Sequence, residues 1–337
     1  MDADKNQDMP RTVQRMLASI LAGVLVAAAA PYSAAQWKPE KPVEFVVPVQ
    51  GGGSLDQAAR AVQQIWQEKK LVNVPVSVVN KPGGGQSLSM IYVHQAARDP
   101  HRIGMISSTL LSNHITGASQ LKYTDFTILG QLYTEYVVIS VRADASIASA
   151  ADLVARLKLA PDALSVAVGS ARGTTSHFGL ALPLKRTGVD VRRLRTVVFP
   201  SAPASMTSLL GGHVDVVTGP LTVADPHWRT GKLRIVAITA PRRLSGDYAT
   251  IPTWREQGID AVVSNWRFLV GPPGLTEEQV RFWDDVFRRT VATGEWRKLL
   301  DKYHWVDEYL PSREGRQYLE KQDAEQRELL AELGLAK

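Results

Sequence analysis

The sequence predicts an α/β protein of two domains, with mainly parallel sheets flanked by helices and a ligand cleft between the domains. Three observations carry that prediction. The chain has 337 residues, enough for two domains of ordinary size. Strands rich in β-branched residues alternate with amphipathic helical stretches, the pattern of parallel sheets. The strands run into the helices through loops of glycine, serine and threonine, and such strand ends are where open α/β sheets bind ligands.

Composition narrows the class further. A chain that is 45% hydrophobic and 21% charged is an ordinary globular one. It contains no cysteine, which excludes disulfides, thiolate metal sites, iron–sulfur clusters and thiol nucleophiles. The formal charge of +6 arises from 39 basic and 33 acidic residues. Basic residues gather only in small groups such as Arg192, Arg193 and Arg195, or Arg242 and Arg243. A nucleic-acid partner would need a basic face interleaved with stacking aromatics. None is expected.

The N-terminus reads as an address. Arg11 and Arg15 precede an uncharged apolar run at residues 17–30, followed by Pro31 and the small residues Ser33, Ala34 and Ala35. A basic start, a short apolar stretch and small residues three and one before a cut describe a secretory signal peptide. The run falls short of the roughly 20 residues that span a bilayer. Residues 1–35 are therefore expected to be removed after Ala35, leaving Gln36 first in a soluble, exported protein. Asp2, Asp4 and Asp8 are unusual in such a segment, and Met9 is an alternative start.

The elements follow in order. Residues 43–48 (VEFVVP) read as a buried strand. It leads through Gly51, Gly52, Gly53 and Ser54 into a helix from Asp56, where Ala59, Val62, Ile65 and Trp66 line one face. Asp56 and Arg60 stand one turn apart, and an acid there suits the helix dipole. Residues 76–79 lead through Asn80, Lys81, Pro82 and three glycines into a second helix reaching Ala97. Residues 103–107 are followed by Ser108, Thr109, Leu110 and Leu111, and a linking strand lies near residues 136–141. Residues 165–168 lead through a loop from Gly169 to Ser176 into another helix. Residues 195–199 run into Pro200, Ser201, Ala202 and Pro203 and a helix that ends at Gly211 and Gly212. Strands at 214–218, 233–239 and 265–270 complete the series. Beyond Pro273, Thr276 and Gln279 form a capping box, and Val280, Trp283, Phe287 and Val291 make a helical stripe. A last helix runs from about Ser312 to Gly334, a good stop residue.

A glycine-rich turn before a helix exposes unpaired backbone N–H groups, which attract anions. The phosphate-loop pattern fails because Gly51 to Asp56 lacks the terminal Gly-Lys-Ser/Thr. The dinucleotide pattern fails too, with Asp56 or Leu88 where its last glycine belongs. Two such loops in the first domain and a Gly/Ser/Thr loop in the second favour a shared carboxylate cleft. No G-x-S-x-G elbow is present. His94, His101, His114, His177, His213, His227 and His304 show no metal-ligand spacing. No catalytic residue, metal or cofactor is expected. Asp56 and Asp215 are not brought together by anything in the sequence, and Trp266 and Trp283 read as core.

These loops resemble the substrate-binding proteins of tripartite tricarboxylate transporters, the Bug receptors, in order along the chain from Gln36. The resemblance rests on Lys41 to Pro48 with the Gly51–Arg60 loop and on Val78 to Gly85. It continues through Tyr123 to Phe126, Gly130 to Leu132, and Ser208 to Val216 (SLLGGHVDV). Gly231 to Arg234, Ile251 to Thr253, Glu256 to Gly258, Asn265 to Arg267 and Gly271 to Leu275 follow in the family's order.

The resemblance implies a two-lobed periplasmic-binding-protein fold, type II-like, with no enzymatic activity. Residues 36–138 and 265–337 would form a discontinuous first lobe and residues 139–264 the second, with crossing strands near 136–141 and 265–270. Lobe closure would capture an organic di- or tricarboxylate and present it to the membrane permease subunits of a tripartite transporter. Family members hold one carboxylate with backbone amides, small hydroxyls and water. Carried onto this chain, that implies Gly52, Gly53, Ser54, Asp56, Ser108 and Thr109 from the first lobe. The second would offer Ser170, Gly173, Thr174, Ser176 and Ala202, with Thr218 at the end of a strand. Asp56 is expected to orient its loop, since two like charges would repel.

Some positions depart from the family. Its first loop usually carries a proline before the glycines and a glycine where Ser54 stands, and Arg172 replaces a small residue in the second-lobe loop. Arg172 either meets a distal carboxylate or faces solvent. A monomer is expected. The same fold also serves as a carboxylate sensor for two-component signalling, which sequence does not separate from transport. An exported enzyme is the weaker alternative, for lack of a nucleophile–base pair.

Overall fold

Alternating strands and helices begin with β1 (Val43–Val47), α1 (Ser54–Glu68), β2 (Val76–Asn80), α2 (Ser87–His94), β3 (Arg102–Ser107) and α3 (Thr109–Ile115). The computed structural model describes residues 37–52, 54–169 and 171–337. The expected signal peptide, and the candidate residues Gly53 and Ser170, lie outside them. A long strand, β4 (Thr127–Arg142), opens the second half, followed by α4 (Ala150–Leu159), β5 (Ser165–Gly169) and α5 (Thr175–Arg186). Then come β6 (Arg195–Phe199), α6 (Ala202–Leu210), β7 (Val216–Pro220), α7 (Leu221–Arg229) and β8 (Leu233–Ile238). The chain returns through β9 (Ser264–Gly271) and ends in α8 (Glu277–Val291), α9 (Gly294–Tyr303), β10 (Leu310–Pro311) and α10 (Ser312–Glu332).

The strands lie in the order β2-β1-β3-β9-β4-β7-β5-β6, and β8 and β10 also pair with β4. Among the named strands of the described residues, the parallel pairs are in the two wings: β1 with β2 and β3, and β5 with β6 and β7. The two sheets expected from sequence are joined by β4. Its sixteen residues pair antiparallel with β9 as far as Tyr136 opposite Ser264, then with β7 and β8 from Val137 and Val138 onward. It belongs to both halves.

In the first half, one sheet face packs against α1 and α8. The Phe45 and Trp66 rings stack with centroids 5.5 Å apart, Trp283 and Phe287 close the cluster, and the Trp66 indole N–H donates to Thr290 Oγ1 at 2.8 Å. The α8 stripe centres on Phe282, Trp283, Val286, Phe287 and Thr290, while Val280 and Val291 stay half-exposed. The face is wider than a single i, i+3/i+4 row, and the adjacent row lies deeper. Thr276 and Gln279 form the reciprocal capping box, each side chain bonded to the other's backbone N–H. The opposite face carries α2, α3 and α10, where Val46, Ile106, Leu111, Phe268, Leu319 and Leu330 are buried together. Burying one such side chain contributes about 1.5–3 kcal/mol.

In the second half successive strand residues alternate faces, as the pleat requires. Val166 and Val216 pack under α4 and α5, while Ala167 and Val217 pack under α6 and α7. The α10 helix braces the halves: its Leu329, Leu330 and Leu333 share a core with Phe178 and Ala181 of α5, and Glu332 pairs with Lys185. Gly334, in the left-handed conformation (φ +69°), stops it where the sequence predicts.

Candidate functional site

The carboxyl ends of β1, β2 and β3 bring three loops of the first half together. Asp56, 2% exposed in the first turn of α1, accepts from the Gly52 N–H at 2.8 Å, the Asn80 amide at 2.8 Å and Arg60 Nε at 2.9 Å. Asn80 also donates to the Val49 carbonyl at 3.0 Å. One carboxylate therefore staples the glycine turn to the loop after β2. Burial pushes its carboxyl up, but the bonds from Arg60, Gly52 and Asn80 outweigh that and hold it below the ordinary aspartate value. It stays charged.

The third loop is joined by Gln86, which the sequence reading passed over. Its backbone is left-handed (φ +80°), a conformation a non-glycine side chain rarely adopts. In that pose its side-chain Oε1 accepts from Ser107 Oγ at 3.0 Å, and its side-chain Nε2 lies 3.4 Å from Thr109 Oγ1.

In the second half, β5 delivers the loop that enters α5. Gly169 at its end lies against the start of α6: a Cβ there would sit 2.7 Å from the Ala202 nitrogen and 2.9 Å from its Cα. Only glycine lets these two backbones approach so closely. Thr174 Oγ1 donates to the Ala171 carbonyl at 3.0 Å, and the Gly173 N–H donates to His177 Nδ1 at 3.1 Å. Thr218 is fully buried, and its hydroxyl donates to the Ser176 carbonyl at 2.7 Å, pinning the first turn of α5. Burial, with the charge of Arg172 added, pushes His177 down to about 4. A neutral imidazole is what the Gly173 bond needs, because Nδ1 must accept.

Between the two loop groups, a hydroxyl pair joins the halves. Ser108 Oγ, just before α3, is hydrogen-bonded to Thr175 Oγ1, in the first turn of α5. Both are buried. Thr175 is a residue the sequence reading missed, although its neighbours Thr174 and Ser176 were chosen. The bonds of the Gly52 turn, by contrast, stay within its own half.

Two of the expected amide donors, Gly52 and Gly173, are already engaged by Asp56 and His177. The amides left over by helical bonding belong to the first turns of α1 and α5, at Ser54 and at Thr175 and Ser176. Ser54 is exposed, whereas Thr109, Thr174, Ser176 and Ala202 are half-buried. The exposed Arg172 is held by the Thr196 carbonyl at 3.1 Å and, with His177 and Arg192, lines a hollow of about 330 Å³ beside the C-terminus. A larger hollow of about 820 Å³ opens between α10 and α5, with Gln131, Tyr136, Thr175 and Phe178 in its walls. No group of residues suited to a metal ion is found among the described residues, and none of their helices is long and apolar enough to cross a membrane.

Known proteins share this architecture. The UPF0065 protein in the gbd 5′ region of Cupriavidus necator is 26% identical over 305 residues, covering 89% of each chain. A crystal structure of a TctC solute-binding protein from Polaromonas is 25% identical, with a TM-score of 0.73, and covers 87% of this chain and 99% of its own. The R. palustris protein Rpa4515, solved with adipate, superposes with a TM-score of 0.78 at 21% identity, covering 88% and 99%. Residues 58–335 match the model of the tripartite tricarboxylate transporter family receptor, starting just past the stapled glycine turn. With a periplasmic-binding-protein fold and that match across most of its length, the chain belongs to the tripartite tricarboxylate transporter receptor family, whose members are solute receptors.

Proposed function

We propose that the protein captures an organic di- or tricarboxylate between two lobes in the periplasm and delivers it to the membrane subunits of a tripartite transporter. The observation that carries this reading is the Ser108–Thr175 seam, where hydroxyls from both halves meet beside two glycine-rich turns. The first lobe is residues 36–138 and 265–337, the second 139–264, and β4 and β9 carry the crossing. A carboxylate in the mouth meets the first-turn amides of α1 and α5, together with the hydroxyls of Ser54, Ser108, Thr109, Thr174 and Ser176. The Ala202 amide lies at the start of α6, against Gly169. Gly52 and Gly173 shape the turns, Asp56 and Thr218 hold them, and Arg172 either leaves the Thr196 carbonyl to meet a distal carboxylate or stays facing solvent. Contacts from both lobes favour the closed state, so binding shifts an open–closed equilibrium. The adipate found in Rpa4515 supports a dicarboxylate, and the family supports the transporter partner. Export follows removal of residues 1–35, and the receptor acts as a monomer.

A thermal-shift panel tests the reading. It sets citrate and aliphatic dicarboxylates of graded length beside acidic amino acids, aromatic acids, sugars and amines. A true ligand at about 100 times its Kd stabilises by about 2.7 kcal/mol. Stabilisation by carboxylates alone supports the reading, and a response confined to sugars or amines overturns it.

A further inference from the structure

Behind the seam lies a buried polar network that the function so far leaves unused. Glu135 of β4 stands opposite Asn265 of β9, and Arg267 stands opposite Tyr133, two pairs further along and on the same face of the sheet. Glu135 is 3% exposed and Arg267 4%, and the two form an ion pair. Arg267 Nη1 donates to Asn265 Oδ1 at 2.6 Å, and Asn265 Nδ2 donates to Glu135 Oε1 at 2.8 Å. Thr175 Oγ1 lies 3.3 Å from the same Asn265 Oδ1, and Ser108 follows it across the seam.

The direction of every proton in this chain is set by its first member. A guanidinium only donates and a carboxylate only accepts. Asn265 is therefore clamped in one orientation, because a flipped amide would set N–H against guanidinium and oxygen against carboxylate. It presents an acceptor to Thr175. The one arrangement that gives both hydroxyl protons an acceptor has Thr175 donating to Asn265 and Ser108 donating to Thr175. The reverse arrangement would leave the Ser108 proton without one.

We infer that Asn265, clamped by Arg267 and Glu135, is a positioning residue that fixes the polarity of the seam, so that Ser108 is the hydroxyl of the pair that donates its hydrogen bond to a ligand carboxylate. The inference rests on the carboxylate reading and deepens it. The Thr175 hydroxyl goes on donating to Asn265 Oδ1. A carboxylate at the seam draws the Ser108 proton away from Thr175, so the direct bond between the halves and the ligand bond are mutually exclusive. No covalent bond changes.

Two experiments test this. Neutron diffraction from crystals of the ligand-free, perdeuterated protein locates the deuterons without any ligand. The expected map has the Thr175 deuteron facing Asn265 and the Ser108 deuteron facing Thr175, and a Thr175 deuteron facing Ser108 overturns the inference. The second experiment titrates variants, by calorimetry, with the acid that gives the largest shift in the thermal panel. Ser108→Ala weakens binding roughly ten- to hundredfold, the worth of a hydrogen bond to a charged acceptor. Thr175→Val tightens it about two- to tenfold, because Ser108 no longer has a competing acceptor. Thr175→Ser keeps the hydroxyl and returns the wild-type value. If Thr175→Val weakens binding or leaves it unchanged, Thr175 is not the acceptor and the inference falls. If no acid in the panel binds, the functional reading falls while the neutron map still decides the polarity.

Discussion

His177 couples acidity to the second-half loop. Its Nδ1 must accept from Gly173, and burial holds the ring down to about 4 against an ordinary value near 6.5. A base with a depressed folded value takes up its proton first in the unfolded chain. Its contribution is therefore complete above about pH 6.5, declines as pH falls, and levels off below about 4. The total is about 3 kcal/mol. Denaturant melts at a series of pH values should show this decline in the wild type and a flatter one in His177→Gln. Equal slopes would mean that the ring does not carry it. The sequence showed His177 only as one of seven scattered histidines. Nothing local marks a buried imidazole whose partner is the amide four residues earlier. Asp56 was easier to find, because the acid, Arg60 and the glycines share one short stretch.

Elements that announce themselves through local pattern were legible, and those that depend on distant neighbours were not. The α8 capping box and the glycine stop of α10 stand where the sequence places them, since both are short-range devices. The first half of β4 was missed: its Gly130 and Gln131 interrupt the apolar run, and only pairing with β9 and β10 makes the segment a strand. The seam network was invisible for the same reason, because Asn265 and Glu135 are 130 positions apart. Close approach of elements also sets what substitution will do. Gly169→Ala forces a methyl against the backbone of Ala202, and such overpacking costs about 1–3 kcal/mol. Gly294→Ala, in open space at the start of α9, should be neutral or stabilising by up to about 1 kcal/mol. Thermal melts of both compare a functional close approach with a vacant one. Equal melting temperatures would show that β5 and α6 are less tightly apposed than the geometry says.

For the whole molecule, β4, the return into β9, the α10 brace, the seam and the Tyr248–His304 contact all join the halves. Capture by closure predicts that saturating ligand lowers the radius of gyration in small-angle X-ray scattering. An unchanged radius would mean that ligand enters a rigid mouth. The fold class and family were readable from the sequence because every βα unit repeats the same local signature. Which residues touch across the cleft depends on how the halves dock, and no spacing along the chain records that.

The place of β9 has a consequence in time. It lies between β3 and β4, yet it is made after all of β5 to β8. While a ribosome is still adding the second half, the first half lacks a central strand, and the α10 brace is also still to come. The N-terminal part of the polypeptide therefore cannot complete its core early, however fast its local helices form. For a polypeptide read as exported, this postpones folding until synthesis is nearly over and keeps the strand-and-helix text threadable through a translocation channel.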